Sequence, residues 1–160
     1  MTKPASLLQS ELKKRKPFES PAQEAWLNLV RTTSQLQIHF ERLIASFGLT
    51  SSQYNILRIL RGEGQPLPIL EIAHRMIVVV PGITGLIDRL EKAGFVVRER
   101  CTQDRRVIYI AITKTAQDVL ARIDQPLHAL HEETMRPLTK PEQRELVRLL
   151  EKLRTDPAAE

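Results

Sequence analysis

The chain has a single cysteine, Cys101, and no long hydrophobic run. One cysteine cannot build an intramolecular disulfide framework or a cysteine-rich metal site. No apolar stretch approaches the roughly 20 residues that a helix needs to cross a bilayer. The first 16 residues, MTKPASLLQSELKKRK, lack the apolar segment of a secretory signal. We therefore expect a cytoplasmic protein without disulfides.

The sequence also lacks the short motifs of common enzyme classes. It contains no phosphate-cradling glycine loop, no zinc-hydrolase spacing and no recognisable nucleophile–base motif. His128 and His131 stand three residues apart beside Glu132, but an isolated pair of this kind is more often a surface feature than a metal site. We expect neither an enzyme nor a bound cofactor or metal.

Positive charge is in excess, with 24 Lys and Arg against 19 Asp and Glu, a net charge of +5. Residues 1–17 hold five of the basic residues and one acidic residue, a net +4. Basicity of this kind suggests a polyanionic partner. The 160 residues suffice for one domain with its own core. We predict a flexible basic arm at 1–19, a single domain at 20–154 and a frayed tail at 155–160.

Helix-start signals precede three amphipathic stripes. Ser20, Thr50 and Thr139 each stand three residues before a Gln or Glu, which is the spacing of a capping box. The predicted helices run from about 20 to Gly48, from about 50 to near Gly62 and from about 139 onward. A further long helix is predicted from about residue 113, and Pro126 inside it could kink it.

The middle of the chain follows a different pattern. Short helices are predicted at Ile69–Met76 and Pro81–Ala93, and their close spacing indicates a helix-turn-helix. The segments FVVRERC and VIYIAI read as paired strands around the polar tip 102–106. The predicted fold is therefore mainly α with a small β-hairpin wing: a winged helix-turn-helix core at about 50–112, between long helices at about 20–48 and 113–154.

Residues 86–113, LIDRLEKAGFVVRERCTQDRRVIYIAIT, resemble the MarR family of winged-helix transcriptional regulators. The family's D-R-L-E-K-x-G string is matched from Asp88 to Gly94, and its wing signature by Asp104–Arg106 with alternating apolar residues behind it. The resemblance extends over roughly 20–153. It implies a homodimer, held by the first, fifth and sixth helices, that binds double-stranded DNA at an inverted repeat. It also implies a small-molecule or oxidant signal, commonly acting on a repressor.

The resemblance gives the wing tip a role beyond that of a solvated turn. It implies that one arginine enters the minor groove, where negative potential is concentrated. Our candidate is Arg105, with Arg106 nearer the DNA backbone or the base of the hairpin. Asp104 is predicted to pin the wing by pairing with Arg89. Two interpretations of Cys101 remain open, a redox-sensing thiol and an incidental one.

The predicted recognition helix has few side chains that can read bases. Thr84 is the best candidate for a base contact, and Val80 or Pro81 could touch a thymine methyl group. Its two glycines either permit a close approach of DNA or relieve packing. For Arg75 the resemblance implies a phosphate contact, which positions a protein without reading sequence, and a solvated surface role is the alternative. Arg98 and Arg100 are predicted to add positive potential near the DNA backbone. The predicted DNA-binding residues outside the wing tip are Arg75, Pro81, Gly82, Thr84, Gly85, Arg89, Arg98 and Arg100.

An effector pocket is expected where the dimer helices meet the winged core, with Trp26, His39 and Tyr54 as candidates. Trp26 and Tyr54 also fit the ordinary role of core residues. The leading hypothesis is a ligand-responsive transcriptional regulator, most simply a repressor. The alternative is a winged-helix protein-interaction module that has lost DNA binding.

Overall fold

The computed structural model describes residues 6–100 and 108–155. Over these ranges the chain is mainly helical, with one small antiparallel sheet, as the sequence predicted. No helix in them is both long and apolar enough to span a membrane. In chain order the elements are α1 (Leu7–Glu11), α2 (Pro21–Ala45), α3 (Ser51–Glu63), β1 (Leu67–Pro68), α4 (Ile69–His74), α5 (Ile83–Lys92), β2 (Val96–Arg100), β3 (Ile108–Ile112), α6 (Lys114–Met135) and α7 (Lys140–Arg154).

The chain divides into two compact units, Met1–Phe40 and Glu41–Glu160. In the first unit, α1 is capped by Ser6 and carries the buried side chain of Leu8. Glu11 at its end pairs with Arg31 of α2, with 3.0 Å between Oε2 and Nε. The segment for which the sequence predicted a flexible basic arm thus contains a short helix.

Local capping chemistry places the helix starts where the sequence predicted them. The hydroxyl of Thr50 accepts from the backbone N–H of Gln53, whose side chain accepts from the N–H of Thr50 in return. Thr139 forms the same capping box with Glu142. At the start of α2 the exchange is looser, because the Gln23 side chain accepts from Glu19 and not from Ser20. Each helix start is thus determined by hydrogen bonds between residues three or four apart in the sequence.

The predicted end of α3 near Gly62 agrees with the structure to within one residue. The helix continues to Glu63, and Gly64 forms the C-cap with φ +75. That left-handed conformation suits glycine because a side chain would be strained there. Gly62 has no positive φ and stays inside the helix. In α6, the helix continues through Pro126.

The second unit holds the winged core. Its sheet has the order β1–β3–β2, with Val96 opposite Ile112 and Arg98 opposite Ile110. The two-residue strand β1, which pairs with β3 at Ile110 and Tyr109, was not predicted from the sequence. Side chains from all of its helices except α7, and from the sheet, form the core. Those with under 2% exposure include Ile44, Ile56, Leu57, Leu60, Ile72, Ile87, Leu90, Val96, Ile110, Leu120 and Ile123.

Candidate nucleic-acid interface

The helix-turn-helix is formed by α4, α5 and the turn between them. The backbone N–H of Ile77, in the turn, donates to Asn55 Oδ1 of α3 over 3.0 Å, which attaches the turn to the core. Leu86, Ile87 and Leu90 are the buried residues of α5. The exposed residues of α5, Thr84, Arg89 and Lys92, mark the part of its surface that is open to a partner.

The start of α5 differs from the sequence prediction. The predicted helix included Pro81 and Gly82, but α5 begins at Ile83, and Gly82 is its N-cap with φ +76. Only Gly85 therefore lies inside the helix. A Cβ atom added at Gly85 would meet nothing within 4 Å, so packing inside the chain does not require glycine there. The close approach of another molecule to Gly85 stays a prediction.

The predicted reading side chains lie at this exposed front. Pro81, Gly82 and Thr84 are exposed, and Gly85 is half-buried beside them. Arg89 is also exposed, and its Nε donates to the Gly85 carbonyl oxygen over 3.0 Å. That hydrogen bond to an uncharged acceptor leaves the positive charge of Arg89 in place. The front therefore presents one hydroxyl, one cation and otherwise apolar surface.

Arg98 joins the hairpin to the recognition helix. Its Nη2 lies 2.6 Å from Asp88 Oδ1 and its Nη1 lies 2.5 Å from Glu91 Oε2. The hydrogen bond with Asp88, helped by the negative charge of Glu91, raises the pKa of Arg98. The predicted role of Arg98 was to supply positive potential, but two carboxylates balance its charge. The acidic pair on α5, three residues apart, was the signal that sequence reasoning overlooked.

Arg75 is also held by acidic side chains. It lies just after α4, and its guanidinium contacts Glu63 at the end of α3 and Glu71 of α4, each at 2.6 Å. The hydrogen bond from Arg75 lowers the pKa of Glu63. With two carboxylates this close, Arg75 attracts phosphate less than an unpaired arginine would. Its predicted phosphate contact stays a prediction.

The wing tip lies outside the described residues. This applies to Cys101, Asp104, Arg105 and Arg106, whose predicted roles stay predictions. The backbone of Arg100 ends β2 and pairs with Ile108, which shows where the tip leaves the sheet and where it returns. The hairpin that would present the tip is therefore built on the sheet of the winged core.

The predicted effector residues fall in different units. Trp26 and His39 belong to Met1–Phe40 and are exposed, Trp26 at 68%. Tyr54 belongs to the other unit and is 5% exposed, as a core residue would be. Their role in binding an effector stays a prediction. Among the described residues, no group of three His, Cys, Asp or Glu side chains is placed to hold a metal ion.

Comparison with known proteins matches the winged core and the helices around it. The family model of the MarR family matches residues 49–108, from the start of α3 to the start of β3. The HTH-type transcriptional regulator FarR of Neisseria gonorrhoeae is 28% identical over 120 residues, which cover 72% of this chain and 82% of that protein. The homoprotocatechuate degradative operon repressor of Escherichia coli is 27% identical over 123 residues, covering 77% and 82%.

A solved structure extends this likeness over nearly the whole chain. The crystal structure of a MarR transcription factor from Planctomyces limnophilus is 38% identical, with a TM-score of 0.65. The match covers 84% of this chain and 98% of that one. A shared fold at this level of identity, together with the match of the winged core, shows common descent. The chain belongs to the MarR family of winged helix-turn-helix transcriptional regulators.

Proposed function

We propose that the protein is a homodimeric repressor that binds an inverted-repeat operator and releases it when a small molecule binds. The observation that carries the proposal is the exposed, carboxylate-free front of α5 from Pro81 to Gly85, next to a hairpin held to the same helix by Arg98. A helix front can enter the major groove while the hairpin reaches the neighbouring backbone and minor groove. The geometry thus supports DNA binding better than any chemical reaction.

Exposed apolar surface supports the homodimer. The α7 helix has no buried residue, yet Leu146, Val147, Leu149 and Leu153 are between 37% and 70% exposed. On α2, Trp26, Leu29, Val30 and Ile38 are between 39% and 68% exposed. Amphipathic helices of this kind are usually covered by protein. A second copy of the chain would cover them and would also supply the second winged helix that an inverted repeat requires.

A matched relative supports repression. The matched Escherichia coli protein is named as an operon repressor, and a dimer on an operator can block the access of other proteins to it. For the effector, we retain Trp26, His39 and Tyr54 as candidates. An effector that binds the DNA-free dimer more tightly than the DNA-bound dimer would release the operator. Only such a difference in affinity can shift the equilibrium between the two states.

The decisive experiment is selection of bound sequences from random duplexes, followed by gel-shift titration of the enriched sites. The proposal expects enrichment of a site with dyad symmetry, bound saturably by two chains. A duplex of the same composition in scrambled order is the control for non-specific binding. Absence of binding at low salt would instead favour the protein-interaction module, and binding without sequence preference would remove the operator from the proposal.

A further inference from the structure

The turn between α4 and α5 exposes an unusual amount of apolar surface. Ile77, Val78 and Val79 are 86%, 66% and 90% exposed, and they stand in consecutive positions. Residues 76–87 contain no charged side chain, and Thr84 supplies their one hydroxyl. Single exposed apolar residues are common, but a contiguous group of them usually marks a contact surface.

The side chains of the same three residues have little rotational freedom. Their β-branched side chains have restricted χ1 rotation, so little side-chain entropy is lost when they are immobilised against a partner. The hydrogen bond from the Ile77 N–H to Asn55 Oδ1 holds the backbone at the start of the group. The turn therefore presents a preformed apolar ridge of Ile77, Val78 and Val79, continuous with Pro81 at the start of the α5 front.

The position of this ridge decides its partner. It lies in the turn between α4 and α5, directly before the helix for which we propose contact with the major groove. In the major groove, a side chain without donors or acceptors can distinguish bases only through the C5-methyl group of thymine. Residues with hydrogen-bonding forks, which read guanine or adenine, do not occur in 76–87.

We propose that the apolar ridge reads thymine methyl groups in the major groove and so sets the sequence preference of the protein. This inference rests on the proposed function, since it requires that α5 enters DNA. It goes beyond that function by assigning specificity to the turn, and it names the atoms that are recognised. The operator half-sites are then expected to contain thymines at fixed positions whose methyl groups, and not their hydrogen-bonding edges, carry the affinity.

The test uses the duplex recovered by selection, synthesised with deoxyuridine at each thymine in turn. This exchange removes one methyl group and leaves base pairing unchanged. Loss of a buried methyl should weaken binding about fourfold, and loss of one in each half-site about fifteenfold. Replacing a sensitive T·A pair by C·G should also weaken binding, and 5-methylcytosine at that position should restore part of the affinity because it returns the methyl group.

Variants of the ridge connect the effect to the protein. Ile77→Ala, Val78→Ala and Val79→Ala are titrated against thymine and deoxyuridine duplexes in parallel. At least one of them should abolish the difference between the two duplexes, since the thymine methyl group then has no side chain to pack against. Leu70→Ala is the matched control, because Leu70 is 74% exposed on α4 outside the turn, and it should leave the difference unchanged.

Failure of this inference can be told apart from failure of the proposed function. If a dyad site is bound with the same affinity whether thymine or deoxyuridine is present, the regulator stands and the methyl readout is overturned. If the deoxyuridine effect persists undiminished in all three ridge variants, other residues read the methyl groups and the inference is also overturned. If no duplex is bound at low salt, both fail, and the ridge belongs to a protein contact.

Discussion

Among the single residues of the second unit, Arg61 and Asp124 make the clearest long-range connection. The two guanidinium Nη atoms of Arg61 in α3 lie 2.8 and 2.7 Å from the two carboxylate oxygens of Asp124 in α6. This hydrogen bonding lowers the pKa of Asp124. Because the pair is partly exposed, its contribution to stability is expected to be modest.

The first prediction concerns the pH dependence of this pair. A carboxylate whose pKa is lowered by folding stabilises the fold above its unfolded pKa of about 3.9, and the contribution is lost as the pH falls through the folded value. Asp124→Asn should therefore reduce the free energy of unfolding by up to about 1 kcal/mol at pH 7. The difference from the unmodified protein should shrink as the pH falls below about 4, as urea titrations at several pH values would reveal.

The matched control is Asp118→Asn, since Asp118 pairs with Lys114 in the same helix and both side chains are at least 60% exposed. Its effect should be smaller, about 0.2–0.5 kcal/mol. An Asp124→Asn variant that is destabilised equally at pH 7 and pH 3 would contradict the prediction.

The second prediction concerns the wing tip. Arg105→Ala should weaken operator binding by roughly 1–3 kcal/mol, most strongly where A·T-rich flanks narrow the minor groove. Asp104→Ala should also weaken binding, on all sequences alike, if Asp104 pins the wing. Simple electrostatics predicts the opposite sign for that variant, because it removes a negative charge. Titrations on A·T-flanked and G·C-flanked operators measure the affinities of both variants. Unchanged binding by Arg105→Ala, with tighter binding by Asp104→Ala, would reduce the tip to a solvated turn.

At the scale of elements, the attachment of the hairpin to α5 should control binding through position and not through charge. Asp88→Asn removes a negative charge near the DNA but weakens the hold on Arg98, whose contacts link β2 to α5. We predict weaker binding to all operator sequences, with an unchanged slope of log K against log salt. Gel-shift titrations over a range of salt concentrations give both quantities.

Arg89→Ala provides the contrast on the same helix. Arg89 is exposed at the α5 front. If it contacts a phosphate, its removal should make the slope of log K against log salt shallower by roughly 0.9. Tighter binding of Asp88→Asn would show that its charge, and not its contact with Arg98, is what matters.

We expect the basic segment that follows α1 to affect DNA binding through its charge. Deleting residues 1–17 would also remove α1 with its buried Leu8, so neutralisation is the sharper test. The variant Lys13→Gln, Arg15→Gln, Lys16→Gln changes three exposed side chains. We predict weaker binding, an unchanged preferred sequence and a salt slope lower by roughly 0.9 for each phosphate that the segment no longer neutralises.

A matched variant with the same charge change elsewhere separates local contact from net charge. Arg144→Gln, Lys152→Gln, Arg154→Gln neutralises three exposed residues of α7 and should leave the slope unchanged. An equal change of slope in the two triple variants would mean that only net charge is felt.

At the scale of the whole molecule, two copies should bind an inverted repeat with half-site centres about one helical turn, roughly 10 base pairs, apart. Leu149→Glu introduces a charge into the exposed apolar face of α7. It should shift the protein to monomer in sedimentation experiments and remove the dyad footprint. Because α7 has no buried residue, the winged core should stay folded by circular dichroism.

Arg144→Glu is the control, since Arg144 lies on the other side of α7 at helical spacing. It should sediment like the unmodified protein. A monomeric unmodified protein, or a footprint over one asymmetric half-site, would contradict the homodimer.

The sequence by itself determined what depends on neighbours along the chain. The starts of α3, α6 and α7 follow from the side chains of Thr50, Thr113 and Thr139, each of which accepts from a backbone N–H three residues later. The hairpin, the helix-turn-helix and the family resemblance rest on the same local patterns. Such interactions span three or four residues, so they can be read without knowing the fold.

Only the tertiary structure decided which distant groups meet. Arg98 was visible in the sequence, but its two carboxylates lie 7 and 10 residues away on another element, and the strand and helix must pack before they can pair. The same holds for Arg75 with Glu63 and for β1, whose pairing with β3 crosses more than 40 residues. The start of α5 at Ile83 likewise depends on the left-handed Gly82, since proline and glycine in sequence fit a helix start and a turn equally well. The folded structure alone shows which charges are paired and which side chains are exposed. The exposure of Ile77, Val78 and Val79 is what revealed the apolar ridge of the turn.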